Sequence, residues 1–195
     1  MLENGELVIP SIGKLYYEGN IALLQKKIVC VIGTRNPSEK GKNRARMLSR
    51  IAIEQGFVPL SGLAKGIDTE VHNVMPSSTI AVIPTALDRM IYPKENLSLK
   101  EKIIEEGGLI ISPFANGSTL SKASFIIRDK VQGFLSLFVV VVESDITGGS
   151  MHALSWAVKH NRNAYIFDDE KRLTSLRNQT NIKLINDETM ISLFD

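Results

Sequence analysis

A Rossmann-like fold, meaning a doubly wound, mostly parallel α/β sheet in three α/β/α layers, is predicted for this sequence by three observations. Six short runs rich in β-branched residues, at 28–32, 57–60, 79–83, 109–111, 137–142 and 164–167, recur at intervals that leave room for helices. The runs are continuously apolar rather than alternating, as expected of strands covered by helices on both faces. Glycine-bearing loops follow several of them where a strand would hand the chain to a helix.

Taken in order, residues 1–27 form a short lead-in in which Leu15-Tyr16-Tyr17-Glu18-Gly19-Asn20 reads as a small strand and turn packed on the main sheet. Residues 28–167 form the α/β core. Within it, 41–55 carries Ala45, Leu48, Ile51 and Ala52 at helical spacing with Gly56 as a stop, and 97–106 ends at Gly107-Gly108 in the same way. Helices are also expected at 124–135 and 151–160. Residues 168–195 form a more polar tail, with a possible edge strand at 182–185 and a helical turn at 188–194.

At 195 residues and 44% hydrophobic content, the chain can bury one sizeable core. A formal net charge of +2 carries no argument for nucleic acid, so the distribution of charge matters more than its sum. Arg35, Lys40, Lys42, Arg44, Arg46 and Arg50 stand against Glu39 alone, which predicts a locally basic face. Cys30 lies in an apolar run and reads as a buried, inert thiol, so no disulfide framework is expected. The N-terminus has neither the basic nor the apolar region of a signal peptide, and the longest apolar run, 137–142, is too short to span a bilayer. A cytoplasmic protein with no membrane association is the expectation.

In a parallel sheet the loops after successive strands emerge at one edge, and four of them carry candidate chemistry. The first holds Gly33, Thr34, Arg35 and Ser38, with arginine's planar donors suited to phosphate. Arg35 also fits a plain solvated ion pair. The second is Ser61-Gly62-Leu63-Ala64-Lys65-Gly66-Ile67-Asp68. Backbone N–H groups there, with the helix N-terminus that follows, suit an anion; the alternative is a tight turn that binds nothing. Asp68 would repel a phosphate, so capping or a ribose hydroxyl suits it better. His72 fits a satisfied structural histidine better than a catalyst.

The third loop, 84–96, is long and brings Lys94, Asn96 and Tyr92, whose ring either stacks on a base or packs inward. The fourth, 144–150, ends at Gly149 and Ser150 and could form another backbone nest, with Glu143 before it as a buried acid or hydroxyl ligand. His152 and His160 are too distant from His72 in sequence to imply a metal, and no metal or cofactor is expected. There is no G-x-G-x-x-G after the first core strand, no G-x-x-x-x-G-K-[ST] and no G-x-S-x-G, which disfavours dehydrogenases, P-loop NTPases and serine hydrolases.

Read together, these loops resemble the DNA-processing protein A (DprA/Smf) family, within the wider Rossmann-like group that includes the LOG nucleotide-cleaving enzymes. The likeness runs from Leu15-Tyr16-Tyr17-Glu18-Gly19-Asn20 through Ile32-Gly33-Thr34-Arg35, Ser38, Gly41, the SGLAKGID run, His72, Thr79-Ile80-Ala81-Val82 and Leu87-Asp88. It continues in Tyr92-Pro93-Lys94-Glu95-Asn96, Phe125 with Arg128, Gly149-Ser150 and Arg162. The resemblance implies a non-enzymatic role: binding single-stranded DNA and helping a RecA-type recombinase load onto it, usually as a homodimer. Arg35, Lys65, Lys94 and Arg128 would then track phosphates with salt-sensitive affinity.

The sequence departs from the family pattern in places. Arg128-Asp129-Lys130 stands where an Arg-Asn-Arg run is common, Ala86 replaces a glycine before Leu87-Asp88, and Asp168-Asp169-Glu170 replaces Pro-Gly. The winged-helix and N-terminal helical extensions of many relatives are not apparent, so a core-only version is expected. The alternatives are a nucleotide-binding sensor and a nucleotide N-glycosidic-bond hydrolase of LOG type. The latter is disfavoured because Ala153 and Leu154 follow Thr147-Gly148-Gly149-Ser150, leaving no glutamate on the first turn of that helix as acid or base.

Overall fold

The computed structural model describes residues 4–176 and 178–194. A hairpin of β1 (Asn4–Ile9) and β2 (Gly13–Gly19) leads into β3 (Lys27–Ile32), α1 (Glu39–Glu54), β4 (Phe57–Ser61), α2 (Ile67–Val74), β5 (Ile80–Val82) and α3 (Leu97–Glu106). Then come β6 (Leu109–Ser112), α4 (Lys122–Leu135), β7 (Phe138–Val141), α5 (Ser150–Lys159), β8 (Asn163–Phe167) and β9 (Ile182–Ile185). All nine strands form one sheet in the order β1-β2-β6-β5-β4-β3-β7-β8-β9. Neighbours from β6 to β9 run parallel; only the hairpin is antiparallel, with β2 pairing β6 at Tyr16 to Ser112. The architecture is thus the doubly wound, Rossmann-like one.

The apolar strands feed two cores by simple alternation. Ile28, Cys30 and Ile32 of β3, with Val139 and Val141 of β7, pack toward Val131 of α4 and Ala153, Leu154 and Ala157 of α5. Val29, Val31 and Val140 point the other way, toward Ala45, Leu48 and Ala52 of α1 and Val71 of α2. Leu99 and Ile103 of α3 cover Ala81 and Ile110 on this second face. Both faces being dry explains why no polar alternation marks these strands. Cys30 is buried in the first core, and burial pushes its thiol well above the usual range.

Strand β1 falls outside the sequence expectation. It is an edge strand whose residues alternate between exposed and half-buried, so it lacks the continuous apolar signature of the central strands. The tail contributes β9 at the opposite edge and a closing 3-10 turn (Thr189–Phe194), whose Met190 and Phe194 are buried in the second core.

The expected basic face over 35–50 is corrected by the fold. Arg44 is buried, its guanidinium stacked 3.9 Å from the Phe167 ring and bonded to Asp169 (2.8 Å) and Asp187 (2.6 Å) of the tail. Lys40 also reaches Asp169, Lys42 pairs with Glu39 and Arg46 with Glu70. Helix α1 spends most of its cations on acids supplied by the tail and α2, a match that distant sequence positions do not reveal. Hydrogen bonds from Arg44 hold the carboxyls of Asp169 and Asp187 below the ordinary range. Their contribution is complete above the unfolded carboxylate pKa and is lost as pH falls through the depressed values. Arg44→Met is expected to cost about 2 kcal/mol in urea unfolding at neutral pH, less than a fully buried pair because both acids are roughly half exposed. A deficit that persists unchanged at strongly acid pH would show that the ion pairs are not its source.

Candidate nucleic-acid interface

The strand order reverses direction between β3 and β7, and the crevice beyond their carboxyl ends is where open α/β sheets bind ligands. A cleft of about 410 Å³ occupies that place. It is lined by Gly33, Thr34 and Arg35 after β3, Ala64 and Asp68 after β4, one stripe of α4, and Ser144, Asp145, Gly148, Gly149 and Ser150 after β7.

Each wall is held by specific bonds. The Thr34 N–H donates to the Glu143 carbonyl (2.6 Å), and the Thr34 carbonyl accepts from the Ile67 N–H (3.2 Å). Gly66, at φ +79°, lies so close to the Thr34 carbonyl that a Cβ would collide with it. Ser144 and Ser150 join their hydroxyls at 2.6 Å and pin the start of α5 to the end of β7.

The SGLAKGID loop curls inward around Asp68. The Asp68 carboxylate accepts the N–H groups of Gly62 (3.1 Å) and Ala64 (3.2 Å), while Leu63 takes a left-handed φ of +58° to make the curl. An internal carboxylate thus sits where an external phosphate was expected. Asp68 caps this loop rather than helix α2, whose N-cap is Gly66. Asn96 braces the same loop from outside, donating to the Leu63 and Ala64 carbonyls and to Thr69 Oγ1.

Beneath the cleft, Arg128 is nine-tenths buried between two acids. Its Nε lies 3.0 Å from Asp129 Oδ1 but is not aligned for a hydrogen bond, and its Nη1 lies 3.7 Å from Asp68 Oδ2. Gly62 carries no side chain because the guanidinium fills the space a Cβ would take. Burial pushes the Asp68 and Asp129 carboxyls above their ordinary range, and the Arg128 charge opposes that push. The floor is therefore one cation shared by two acids, and the Arg128 Nε retains unused hydrogen-bonding capacity. Gln132 Nε2, one turn along α4, is likewise buried without a partner.

At the mouth, Arg35 is exposed, with its guanidinium 5.7 Å from the ring centres of both Tyr92 and Phe125, which meet edge to face at 5.5 Å. Cation and aromatic faces stand side by side, the combination that binds a phosphate next to a base.

Of the residues singled out from sequence, Gly33, Thr34, Arg35, Asp68, Arg128, Gly149 and Ser150 line the cleft. Others are engaged elsewhere. The Ser38 N–H and hydroxyl both donate to the Glu143 carboxylate (3.0 Å each), while the Ser38 oxygen accepts the Gly41 N–H as the N-cap of α1, so Ser38 is occupied and the hydroxyl that Glu143 binds is the chain's own. The Ser61 hydroxyl donates to the buried Val31 carbonyl, and Lys65 is paired with Glu95. Gly62 and Asn96 serve the loop itself, Gly66 faces a shallow recess beside Arg35, and exposed Lys94 lies outside the cleft lining. Asp129, Gln132, Ser144 and Asp145 were not among the candidates. The α4 contributors Phe125, Arg128, Asp129 and Gln132 follow 3–4–7 spacing, so three polar residues in line with Phe125 on one helix face were the available signal.

His72 is buried and structural. Thr79 Oγ1 donates to the Pro59 carbonyl (3.0 Å), so it accepts from His72 Nδ1–H (2.8 Å), which leaves Nε2 as a bare, unpartnered lone pair. Burial, helped by the Arg128 charge, lowers its pKa to about 3. The unfolded chain gains a proton near pH 6.5 that the native chain refuses, so stability falls with acidification from about 6.5 toward 3. The expected slope from this group is about 1.4 kcal/mol per pH unit. His72→Phe should flatten that part of the stability profile in chemical unfolding, and an unchanged slope would assign it to other groups.

Among the described residues no cluster of histidine, cysteine and carboxylate side chains has metal-binding geometry, and no helix is long and apolar enough to cross a membrane.

The family model described as DNA recombination-mediator protein A matches residues 9–193. Protein Smf of Synechocystis sp. is 36% identical over 70% of this chain and 35% of its own length. DNA processing protein DprA of Streptococcus pneumoniae is 34% identical over 77% of this chain and 54% of its own. The chain thus spans about a third to a half of these relatives. In structure it is similar to the DNA processing protein A of Helicobacter pylori, solved for its single-stranded DNA binding mode (TM-score 0.86, 26% identity, 99% of this chain and 95% of that one). The molybdenum cofactor carrier protein of Chlamydomonas reinhardtii shares the fold alone, at TM-score 0.59 and 18% identity, covering 86% of this chain and 95% of its own. Fold, switch-point cleft and family match agree: this chain belongs to the DNA recombination-mediator protein A family, the DprA/Smf proteins of DNA processing.

Proposed function

We propose that this chain binds single-stranded DNA at the switch-point cleft and acts, without catalysing a reaction, as a homodimeric mediator that helps a RecA-type recombinase load onto the strand. The observation that carries the reading is the Arg35–Tyr92–Phe125 group at the cleft mouth, where a phosphate and a stacked base find partners together. A phosphate on Arg35 would lie beside the Gly33-Thr34 backbone and the start of α5, with Arg128 below. Exposed Lys94, two residues beyond Tyr92, extends the track outside the cleft. Ala153 and Leu154 on α5 are buried in the core, so that helix offers no acid or base at those positions for cutting a glycosidic bond.

Fluorescence anisotropy of a labelled oligonucleotide, titrated at low and physiological salt with mononucleotide competitors, tests this. Binding should weaken with salt and resist mononucleotides. Arg35→Ala and Lys94→Ala should each weaken binding to every sequence alike and reduce the salt slope by about 0.7, one phosphate's worth on a single strand. Displacement by low concentrations of a mononucleotide would replace this reading with that of a nucleotide sensor. Recombinase loading is then read as faster filament growth on the bound strand.

A further inference from the structure

A second concavity lies on the far side of α4 from the cleft and has chemistry of a different kind. Its volume is about 580 Å³, larger than the cleft itself. It runs along α4 and α5 under the tip of the β1–β2 hairpin. Helix α4 divides its surface between the two sites: Phe125, Arg128, Asp129 and Gln132 face the cleft, and Ile126, Ile127 and Lys130 face this groove.

The floor is apolar. Ile126 and Ile127 are 38% and 40% exposed although Val131 of the same helix is fully buried, and Ile12 and Trp156 complete the surface. The Trp156 ring is held flat against His160 at 3.9 Å and edge-on to Phe134, which makes it a fixed wall rather than a mobile side chain. The rim is cationic, with Lys130 on α4 and Lys159 on α5, both exposed, and His152 and His160 adding imidazole nitrogens. Among the described residues no aspartate or glutamate lines the groove. An apolar floor with lysines on both banks and no acid is complementary to a segment carrying large apolar side chains and carboxylates.

We infer that the α4–α5 groove is a docking surface for an acidic, apolar peptide segment of a partner protein, separate from the DNA-binding cleft. Two other occupants fit less well. A single strand of nucleic acid would find the lysines but would meet branched aliphatics with no π face, and the Trp156 ring already has a stacking partner in His160. A second copy joined face to face would set one lysine-rimmed groove against another, with no acid among either set of lining residues. The inference does not depend on the cleft binding DNA, because the two sites use different residues.

The test is peptide selection from a random displayed library against the whole chain, followed by synthesis of an enriched peptide and titration by fluorescence anisotropy. Enriched sequences should combine aspartate or glutamate with leucine, phenylalanine or tryptophan. The double variant K130E/K159E should weaken the enriched peptide about tenfold or more, the more so at low salt. Ile127→Ser, a change at an exposed position, should weaken it by a similar factor at all salt concentrations. An oligonucleotide should not displace the peptide. Failure to enrich acidic apolar sequences, or an enriched peptide indifferent to all three substitutions, would overturn the proposal. Displacement of the peptide by oligonucleotide, with K130E/K159E weakening both ligands alike, would overturn it too and make the groove part of a nucleic-acid track. Loss of oligonucleotide binding in Arg35→Ala with peptide binding intact would show the two sites to be independent.

Discussion

Arg128→Met is expected to lower the unfolding free energy by about 3–5 kcal/mol near pH 7, because it leaves two buried carboxylates facing each other without their cation. Asp68 and Asp129 are each about 5% exposed, so water cannot replace the guanidinium. Methionine has room, since Gly62 already leaves space for a long side chain at this position. Both acids are pushed upward by burial even beside Arg128, so without it they bind protons more readily still. A carboxyl whose folded pKa is raised gains stability as pH falls toward the unfolded pKa, because the native state then holds more protons than the unfolded one. The deficit should therefore be largest near neutrality and shrink on acidification toward about pH 5. Urea unfolding at the two pH values measures this, and an equal deficit at both would mean that packing, not charge, accounts for the loss.

Phe125→Leu should reduce affinity for single-stranded DNA by about 1–3 kcal/mol, the range found when a stacking ring is removed, or roughly 5- to 150-fold. Leucine keeps the apolar contact with the cleft wall, so unfolding should change little. The ring lies in a three-membered group, 5.7 Å from the Arg35 guanidinium and 5.5 Å from Tyr92, and its loss also frees Arg35 to sample other positions. Because stacking is indifferent to base identity, the loss should be similar for different sequences and should leave the salt slope nearly unchanged, in contrast to Arg35→Ala. Equal affinity of the variant and the parent would remove the ring from the DNA path.

The two substitutions act on neighbouring turns of one helix, and they separate two properties of the site. Arg128 holds the cleft floor together, and Phe125 is the residue that meets the strand in the proposed function. Family resemblance groups them as one pair, Phe125 with Arg128, and burial tells them apart: Arg128 is 6% exposed and Phe125 is half-buried at the mouth.

Much of the architecture was legible in local sequence. The runs at 28–32, 57–60 and 109–111 are continuously apolar because both faces of their strands are covered, and they appear as β3, β4 and β6 within a residue or two of the expected limits. Gly107 takes φ +97° and ends α3 where the Gly-Gly pair said it would. Such features are read correctly because the forces behind them, burial of a face and the conformational reach of glycine, act over a few neighbouring residues. Strand β1 escaped because an edge strand is half solvated and needs no such signature.

The site was legible only as a neighbourhood. Sequence placed the loops after the first two core strands and before α5 at one sheet edge, since parallel strands put their exits on the same side. It did not show that the N–H groups of Gly62 and Ala64 turn inward to Asp68, that Ser38 is taken by Glu143 across 105 positions, or that Arg44 is consumed by Asp169 and Asp187. Each depends on a charged partner brought from a distant part of the chain, and a polar residue's partner is a matter of position in space rather than of residue type. Residue type and spacing therefore determined the fold class, the family and the sheet edge at which the candidate loops gather. Which cations face solvent and which are neutralised internally was decided by tertiary packing, because an ion pair forms between whichever opposite charges the fold brings within a few ångströms.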